Sequence, residues 1–399
     1  MNFVQSLKDR SSKEIYYFIT YGIAFVALGL GLSSIGPLLP YLAENVKVSF
    51  AQISFVFTAS SLGYMAGSAG GGRLYDRFKG HRLMVIALSL LIASLFLFPV
   101  TNVFYVLLAL MFMAGLGQGL IDVGGNLNLL WIFQARVGPY MNALHFAFGV
   151  GAFLSPIIVH NVMQWSGGLL TWPFWALAIL SIPSYVGLVL LSSPKNPEKE
   201  AIEENKKTVN VRLVILMVLL FFIYCGVEGG FGGWIFTYAT TLNITGQTGA
   251  SYMNSFFWGA LTLGRLVSIP LARKIAPSRL LLTNFGLAIA FMGLILVFPL
   301  NTVVLWIGSI GLGLSFSSIF PTLMSLAESR LQITGAVTGY FFLGVSLGAM
   351  SIPMLLGQIF DYIGHVQIMT ALMVLLGLGL VVLLALIITS NSLGEKERA

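Results

Sequence analysis

Residues 103–130 read VFYVLLALMFMAGLGQGLIDVGGNLNLL. The stretch is largely apolar, its one charged residue is Asp122, and it exceeds the roughly 20 residues that carry a helix across a bilayer. Its neighbours are no different, since between Leu83 and Ala135 Asp122 is the only charged residue. Hydrophobic residues make up 57% of the chain and charged ones 9%, against about 25% charged in soluble domains. The composition is that of an integral membrane protein.

Eleven further apolar runs of similar length flank this one. The twelve spans are 15–42, 50–72, 83–100, 103–130, 139–163, 171–192, 212–240, 249–272, 280–299, 302–327, 335–360 and 366–389. They are continuous and do not alternate, which excludes a membrane β-barrel. The first run is too long for a cleavable signal peptide, and no small-residue cleavage site follows it. The single cysteine, Cys225, excludes an intrachain disulfide and a cysteine-held metal site.

The net charge of +7 is explained by topology. Nineteen of the 21 Lys and Arg fall in the N-terminal tail, the C-terminal tail and the loops that alternate with them on one side; only Lys47 and Arg265 fall elsewhere. Basic loops mark the cytoplasmic side. Both termini are therefore expected in the cytoplasm, the chain in the cell membrane, and no nucleic-acid partner. The polar segment 193–211 separates six spans from six and reads as a linker. The expected domains are a six-helix half over 1–192, a cytoplasmic linker over 193–211 and a six-helix half over 212–399.

An internal repeat supports this division. With a shift of 197, LYDRFKGHRLM (74–84) falls on LARKIAPSRLL (271–281) and GAFLSP (151–156) on GAMSIP (348–353). Gly29 and Gly36 fall on Gly226 and Gly233; at a shift of 196, GLG (115–117) falls on GLG (311–313). The fold class expected is an all-α membrane protein of twelve transmembrane helices in two homologous halves. Parallel repeats of this type build a transport site between halves.

Ionisable groups inside a membrane cost roughly 2.5–3.5 kcal/mol each on insertion scales, so those that persist are functional candidates. Three lie well inside spans: Asp122, Glu228 and Arg265. Gln118, Asp122 and Asn126 recur every four residues and share one helix face. In the fifth span Asn142 and His145 share a face; a His there bonds hydroxyls, shuttles protons, or is satisfied by one helix–helix hydrogen bond. The seventh span, YCGVEGGFGGWIFTY, surrounds Glu228 with Tyr224 one turn before and glycines after, which either weaken the helix or let another pack closely. In the eighth span Asn254, Trp258 and Thr262 recur every four residues, with Arg265 three further on. Amides bond hydroxyls and an indole stacks on a sugar face, although Trp258 equally suits ordinary packing. His81, His160 and His365 receive no role, the first and last being read as loop residues. GLGQG lacks a strand–helix context, so it is no nucleotide loop. No Walker motif or metal box is present, so no enzyme activity and no cofactor is expected; uphill transport would draw on an ion gradient, of protons or sodium.

The loop GGRLYDRFKGHR (71–82) resembles the cytoplasmic signature of the major facilitator superfamily, Gly-x-Leu-x-Asp-Arg-x-Gly-Arg-Arg. Gly72, Leu74, Asp76 and Arg77 match, the next glycine is displaced by one to Gly80, and Arg82 follows. The resemblance implies that Gly72, Asp76, Arg77 and Arg82 take part in conformational gating. GLGQGLIDVGGN, MNALHFAFGVGAFLSP, YCGVEGGFGGWIFTYATT, MNSFFWGALTLGR and SLGAMSIP are similar to the fucose–proton symporter group, and within it to the sodium-dependent glucose transporter-like branch. That resemblance implies ion coupling and sugar contact at Asp122 and Asn126, sugar contact at His145 and a polar site at Glu228. The first-helix aspartate of proton-coupled fucose carriers is replaced here by Gly36, which leaves the coupling ion open.

The resulting expectation is an ion-coupled symporter of a neutral hexose-type sugar working by alternating access. Asp122 and Glu228 are the ion-coupling candidates. Gln118, Asn126, Asn142, His145, Tyr224, Glu228, Asn254, Trp258 and Arg265 are the substrate contacts. The partners are a small-molecule substrate and the lipid bilayer, with the chain a monomer. The alternative is a proton-driven exporter of drugs or amphiphilic lipids; a third reading, weakly opposed by the polar stripe around Asp122, is a scaffold or sensor that does not transport.

Overall fold

A computed structural model describes residues 3–194, 210–272, 274–331 and 335–396. Most of the expected linker lies outside them, as do Lys195, Lys199, Lys206, Lys207, Arg273, Arg398 and the side chains of Lys8, Arg10 and Lys396. Among the described residues the chain forms helices and no strand. They are α1 (Phe3–Asn45), α2 (Phe50–Ile53), α3 (Phe55–Arg77), α4 (Gly80–Leu97), α5 (Phe104–Phe133), α6 (Val137–Trp165) and α7 (Thr171–Leu190). After the linker come α8 (Val211–Thr241), α9 (Gln247–Ala272), α10 (Pro277–Val297), α11 (Thr302–Phe316), α12 (Ile319–Arg330), α13 (Gly335–Tyr362) and α14 (Gln367–Lys396).

Eleven helical stretches are long and apolar enough to cross a membrane, with α11 and α12 together forming one of them. The twelfth span is α3, whose sequence FVFTASSLGYMAGSAGGGRLYDR is diluted by Gly, Ser and Thr. Small residues serve a helix packed inside a membrane bundle better than they serve lipid contact. Gly63 and Gly67 of α3 lie against the backbone of α5 at Phe112 and Leu116, and Gly119 of α5 against Tyr64 of α3.

Two expected spans are broken by serines. The second begins with Ser49, whose hydroxyl accepts from Gln52 N at 3.3 Å while Gln52 Oε1 accepts from Ser49 N at 3.2 Å. This reciprocal capping box fixes a helix start. The Ser54 hydroxyl then donates to Ala51 O at 2.7 Å and Met354 O at 3.1 Å, ending α2 after four residues. The tenth span breaks at Ser317, whose hydroxyl donates to Leu314 O at 2.6 Å. Such side-chain bonds compete with the helical ladder.

The chain groups into two compact units, Met1–Lys47 with Leu62–Glu200, and Val48–Ser61 with Ala201–Ala399. In the first unit α1 packs on α6 and α7, and α4 on α5 and α7. In the second, α8 packs on α13 and α14, and α10 on α11 and α14. The neighbour pattern of one unit is that of the other. Close helix crossings in both units fall on repeat-related glycines. A Cβ at Gly29 would strike Phe148 and Ala152, and one at Gly151 would strike Val26. A Cβ at Gly226 would strike Gly348, and one at Gly348 would strike Phe222. The repeat in the sequence is thus a repeat of helix–helix approach.

Candidate functional site

In the first unit the polar face of α5 is held from α3. The Tyr64 hydroxyl donates to Asp122 Oδ2. Asn126 Nδ2 donates to the other carboxylate oxygen at 3.0 Å and to the Asp122 carbonyl at 2.9 Å. Both carboxylate oxygens therefore accept a hydrogen bond, which offsets the cost of an acid at this depth. Asp122 and Asn126 are half-buried, while Gln118, one turn earlier, is buried beside Gly31 of α1. The four-residue spacing put the three on one face; the fold ties Asp122 to Asn126 and sends Gln118 to another helix.

Asn142 and His145 of α6 are exposed. The His145 ring meets Phe25 edge-on at 5.7 Å between centroids, and Phe25 fills the space that a Cβ at Gly125 would take. Phe25 thus bridges His145 to the turn of α5 that carries Asn126.

The signature loop grips the same helix lower down. Tyr75 donates its hydroxyl proton to Leu120 O at 2.8 Å, and its hydroxyl occupies the position of a Cβ at Gly124. At Gly80 a Cβ would strike the Asn128 side chain. This close approach accounts for the displaced glycine: the bare position is needed where α4 begins over Asn128. Asp76, Arg77 and Arg82 are exposed, and Gly72 is half-buried with open space around it.

His81 lies in the first turn of α4 and is buried, a correction to its reading as a loop residue. Its Nε2 shares a 2.6 Å hydrogen bond with the Tyr21 hydroxyl, and its Nδ1 lies 3.0 Å from Leu191 O. It ties α1 and α4 to the end of α7. His365 does lie in a turn, over the Phe360 ring at 4.3 Å.

In the second unit Glu228 of α8 lies one turn after Tyr224 and feels the Arg265 charge of α9. The Tyr224 hydroxyl donates to Phe316 O, at 3.2 Å, at the end of α11.

The face of α9 towards α8 is the most unusual polar surface of the unit. Asn254, with no exposed surface, donates from Nδ2 to Gly232 O at 2.6 Å, and the Trp258 ring covers Gly232. Asn254 Oδ1, Ser255 Oγ, Trp258 Nε1 and Arg265 Nε are buried with no hydrogen-bond partner among the described residues. Each unmade bond costs about 1–3 kcal/mol, so such atoms call for an explanation. The sequence pattern marked Asn254, Trp258 and Arg265; it missed Ser255, which is beside the stripe and not on its four-residue period, and Tyr64, an ordinary aromatic in its own span. Thr262 satisfies itself on Trp258 O at 2.8 Å. Among the described residues no cluster of His, Cys, Asp and Glu is arranged to hold a metal ion.

Repeated units of membrane-crossing helices, with carboxylates and partnerless polar atoms inside their spans, define a multi-pass membrane transporter. Comparison with known proteins makes the class specific. The chain belongs to the Major Facilitator Superfamily, whose profile matches residues 21–353. It is 32% identical over 360 residues to sodium-dependent glucose transporter 1 of Xenopus laevis, covering 83% of this chain and 73% of that one. The human protein of the same name is 31% identical over 373 residues, covering 84% and 71%. Human major facilitator superfamily domain-containing protein 4A is 27% identical over 443 residues, with 86% of each covered. The crystal structure of the nucleoside transporter NupG superposes with a TM-score of 0.75 at 15% identity, covering 94% of this chain and 99% of that one; this is a likeness of fold.

Proposed function

We propose that this protein is an ion-coupled symporter of a neutral hexose-type sugar that works by alternating access. The observation that carries the proposal is the face of α9: Asn254 Oδ1, Ser255 Oγ, Trp258 Nε1 and Arg265 Nε are buried and partnerless among the described residues. A polyol is the ligand class that supplies both donors and acceptors to such a set without adding charge. The names of the glucose-transporting relatives support the same substrate class. On this reading Asn254, Ser255, Trp258 and Arg265 bind hydroxyls from the second unit. Within the first unit the candidate contacts remain Gln118, Asn126, Asn142 and His145.

Asp122 is the coupling carboxylate. Tyr64 and Asn126 donate to both of its oxygens, so binding a proton or sodium ion there must rearrange these bonds. Glu228, near the Arg265 charge of α9, is the second ion-coupling candidate. The gate residues Gly72, Asp76, Arg77 and Arg82 stand at the α3–α4 turn, which Tyr75 and Asn128 connect to the helix of Asp122. The cytoplasmic placement of both termini rests on the basic loops.

Uptake into proteoliposomes tests the proposal. Labelled glucose should accumulate under an inward proton or sodium gradient, and the gradient that drives it names the ion. No sugar uptake, with ethidium extruded under a proton gradient, would replace the proposal with the exporter reading.

A further inference from the structure

One pocket of the second unit lies away from these residues. It has a volume of about 50 Å³ and lies among the ends of α8, α10, α12 and α14. Its polar lining is Ser278, Arg330 and Ser390; its apolar walls include Leu213, Met217 and Ile387. The pocket is far smaller than the roughly 300–1,000 Å³ of ordinary small-molecule sites, and has room for a group of a few water-sized atoms.

The polar groups share one preference. Ser278 stands in the first turn of α10, which starts at Pro277 with no side chain capping its first amides. Free amides and the helix dipole favour an anion at that end. Arg330, the last residue of α12, brings a guanidinium suited to two-point contact with a phosphate. Ser390 is 6% exposed, and its hydroxyl has no partner among the described residues. Arg212, Lys274 and Arg279, at the starts of α8 and α10 and the loop before α10, add exposed positive charge around the same end of the unit. The positive charge in this set opposes a cation and favours an anion over a neutral ligand. The leucine, methionine and isoleucine walls suit a group attached to hydrocarbon.

We propose that this pocket binds the phosphate of an anionic glycerophospholipid. The α10 N-terminus, Ser278, Arg330 and Ser390 would contact the phosphate, and the apolar walls the glycerol carbon that carries it. The site is separate from the transport residues and does not depend on what the protein transports.

The test titrates the purified full-length protein in detergent with phosphatidylglycerol, with phosphatidylcholine and with inorganic phosphate, reading thermal unfolding and lipid adducts by native mass spectrometry. Phosphatidylglycerol should raise the unfolding temperature saturably, and phosphatidylcholine should not. Arg330→Gln should raise the half-saturating concentration about tenfold or more, as expected for losing a charge-assisted pair, while Arg330→Lys retains most of the effect. Ser390→Val, which closes the partnerless hydroxyl off, should weaken binding in the same direction and gives an independent reading if Arg330→Gln is not monodisperse. Unchanged titration of both Arg330→Gln and Ser390→Val, or an equal response to phosphatidylcholine, would overturn the proposal. A full shift with inorganic phosphate at the same concentration would overturn the assignment to a lipid.

Discussion

Replacing Asn254 with Leu separates a binding role from a structural one. Asn254 makes one hydrogen bond, from Nδ2 to Gly232 O, and leaves Oδ1 buried without a partner among the described residues. A net hydrogen bond stabilises by about 0.5–1.5 kcal/mol, whereas an unsatisfied buried acceptor costs about 1–3 kcal/mol. Leucine is close in volume, so Asn254→Leu gives up the first and removes the second. The ligand-free protein should change between a loss of about 0.5 and a gain of about 2.5 kcal/mol, the difference of those two ranges. The effect in thermal unfolding lies between a fall of about a degree or two and a rise of several degrees. The same change leaves a bound sugar hydroxyl unpaired, at about 1–3 kcal/mol, which is roughly 5- to 150-fold in affinity. The assay pairs thermal unfolding in detergent with uptake or binding of labelled glucose. A variant that loses more than about 2 kcal/mol of ligand-free stability yet takes up glucose normally would refute the reasoning, because Asn254 would then be a packing residue.

Other perturbations probe neighbouring parts of the account. Tyr64→Phe removes the hydroxyl that donates to Asp122; a bond to a charged group is worth about 1.5–3 kcal/mol, so gradient-driven accumulation should fall about tenfold or more while sugar exchange falls less, as read in the same vesicles. His81→Ala strips partners from the Tyr21 hydroxyl and Leu191 O. It should lower the stability of the purified protein by about 2–4 kcal/mol, as for a buried side chain removed together with its bonds, with transport per folded molecule unchanged. Gly151→Leu and Gly348→Leu each drive a side chain into backbone, at Val26 and at Phe222. The two should cut the yield of folded protein to a similar degree, since overpacking costs about 1–3 kcal/mol or more, and a strong loss at one with none at the other would contradict the structural repeat.

Much of this architecture was legible in the sequence because bilayer thickness imposes a length on every span and the basic loops punctuate them. The repeat showed through Gly29, Gly151, Gly226 and Gly348, as backbone contact tolerates no other residue there. The stripes at Asp122 and on α9 were legible for a different reason: a four-residue period reports a helix face, and polar residues on an apolar helix stand out. A period says nothing about what lies opposite the face. Tyr64 lies 58 residues from Asp122 in sequence, and nothing local to it distinguishes a carboxylate partner from a lipid-facing ring. The same limit hid the partners of His81, which looked like one more basic-loop residue. The breaks at Ser54 and Ser317 were hidden too, because serine in an apolar span is commonplace and only the acceptors at Ala51, Met354 and Leu314 turn it into a break.

The central claim is that Asp122 couples an ion gradient to sugar movement. It is tested most directly by comparing wild type with Asp122→Asn in proteoliposomes, measuring labelled glucose both under an imposed proton or sodium gradient and in exchange without a gradient. Asp122→Asn should abolish accumulation against a concentration gradient while exchange persists. Accumulation by Asp122→Asn at the wild-type level would contradict it.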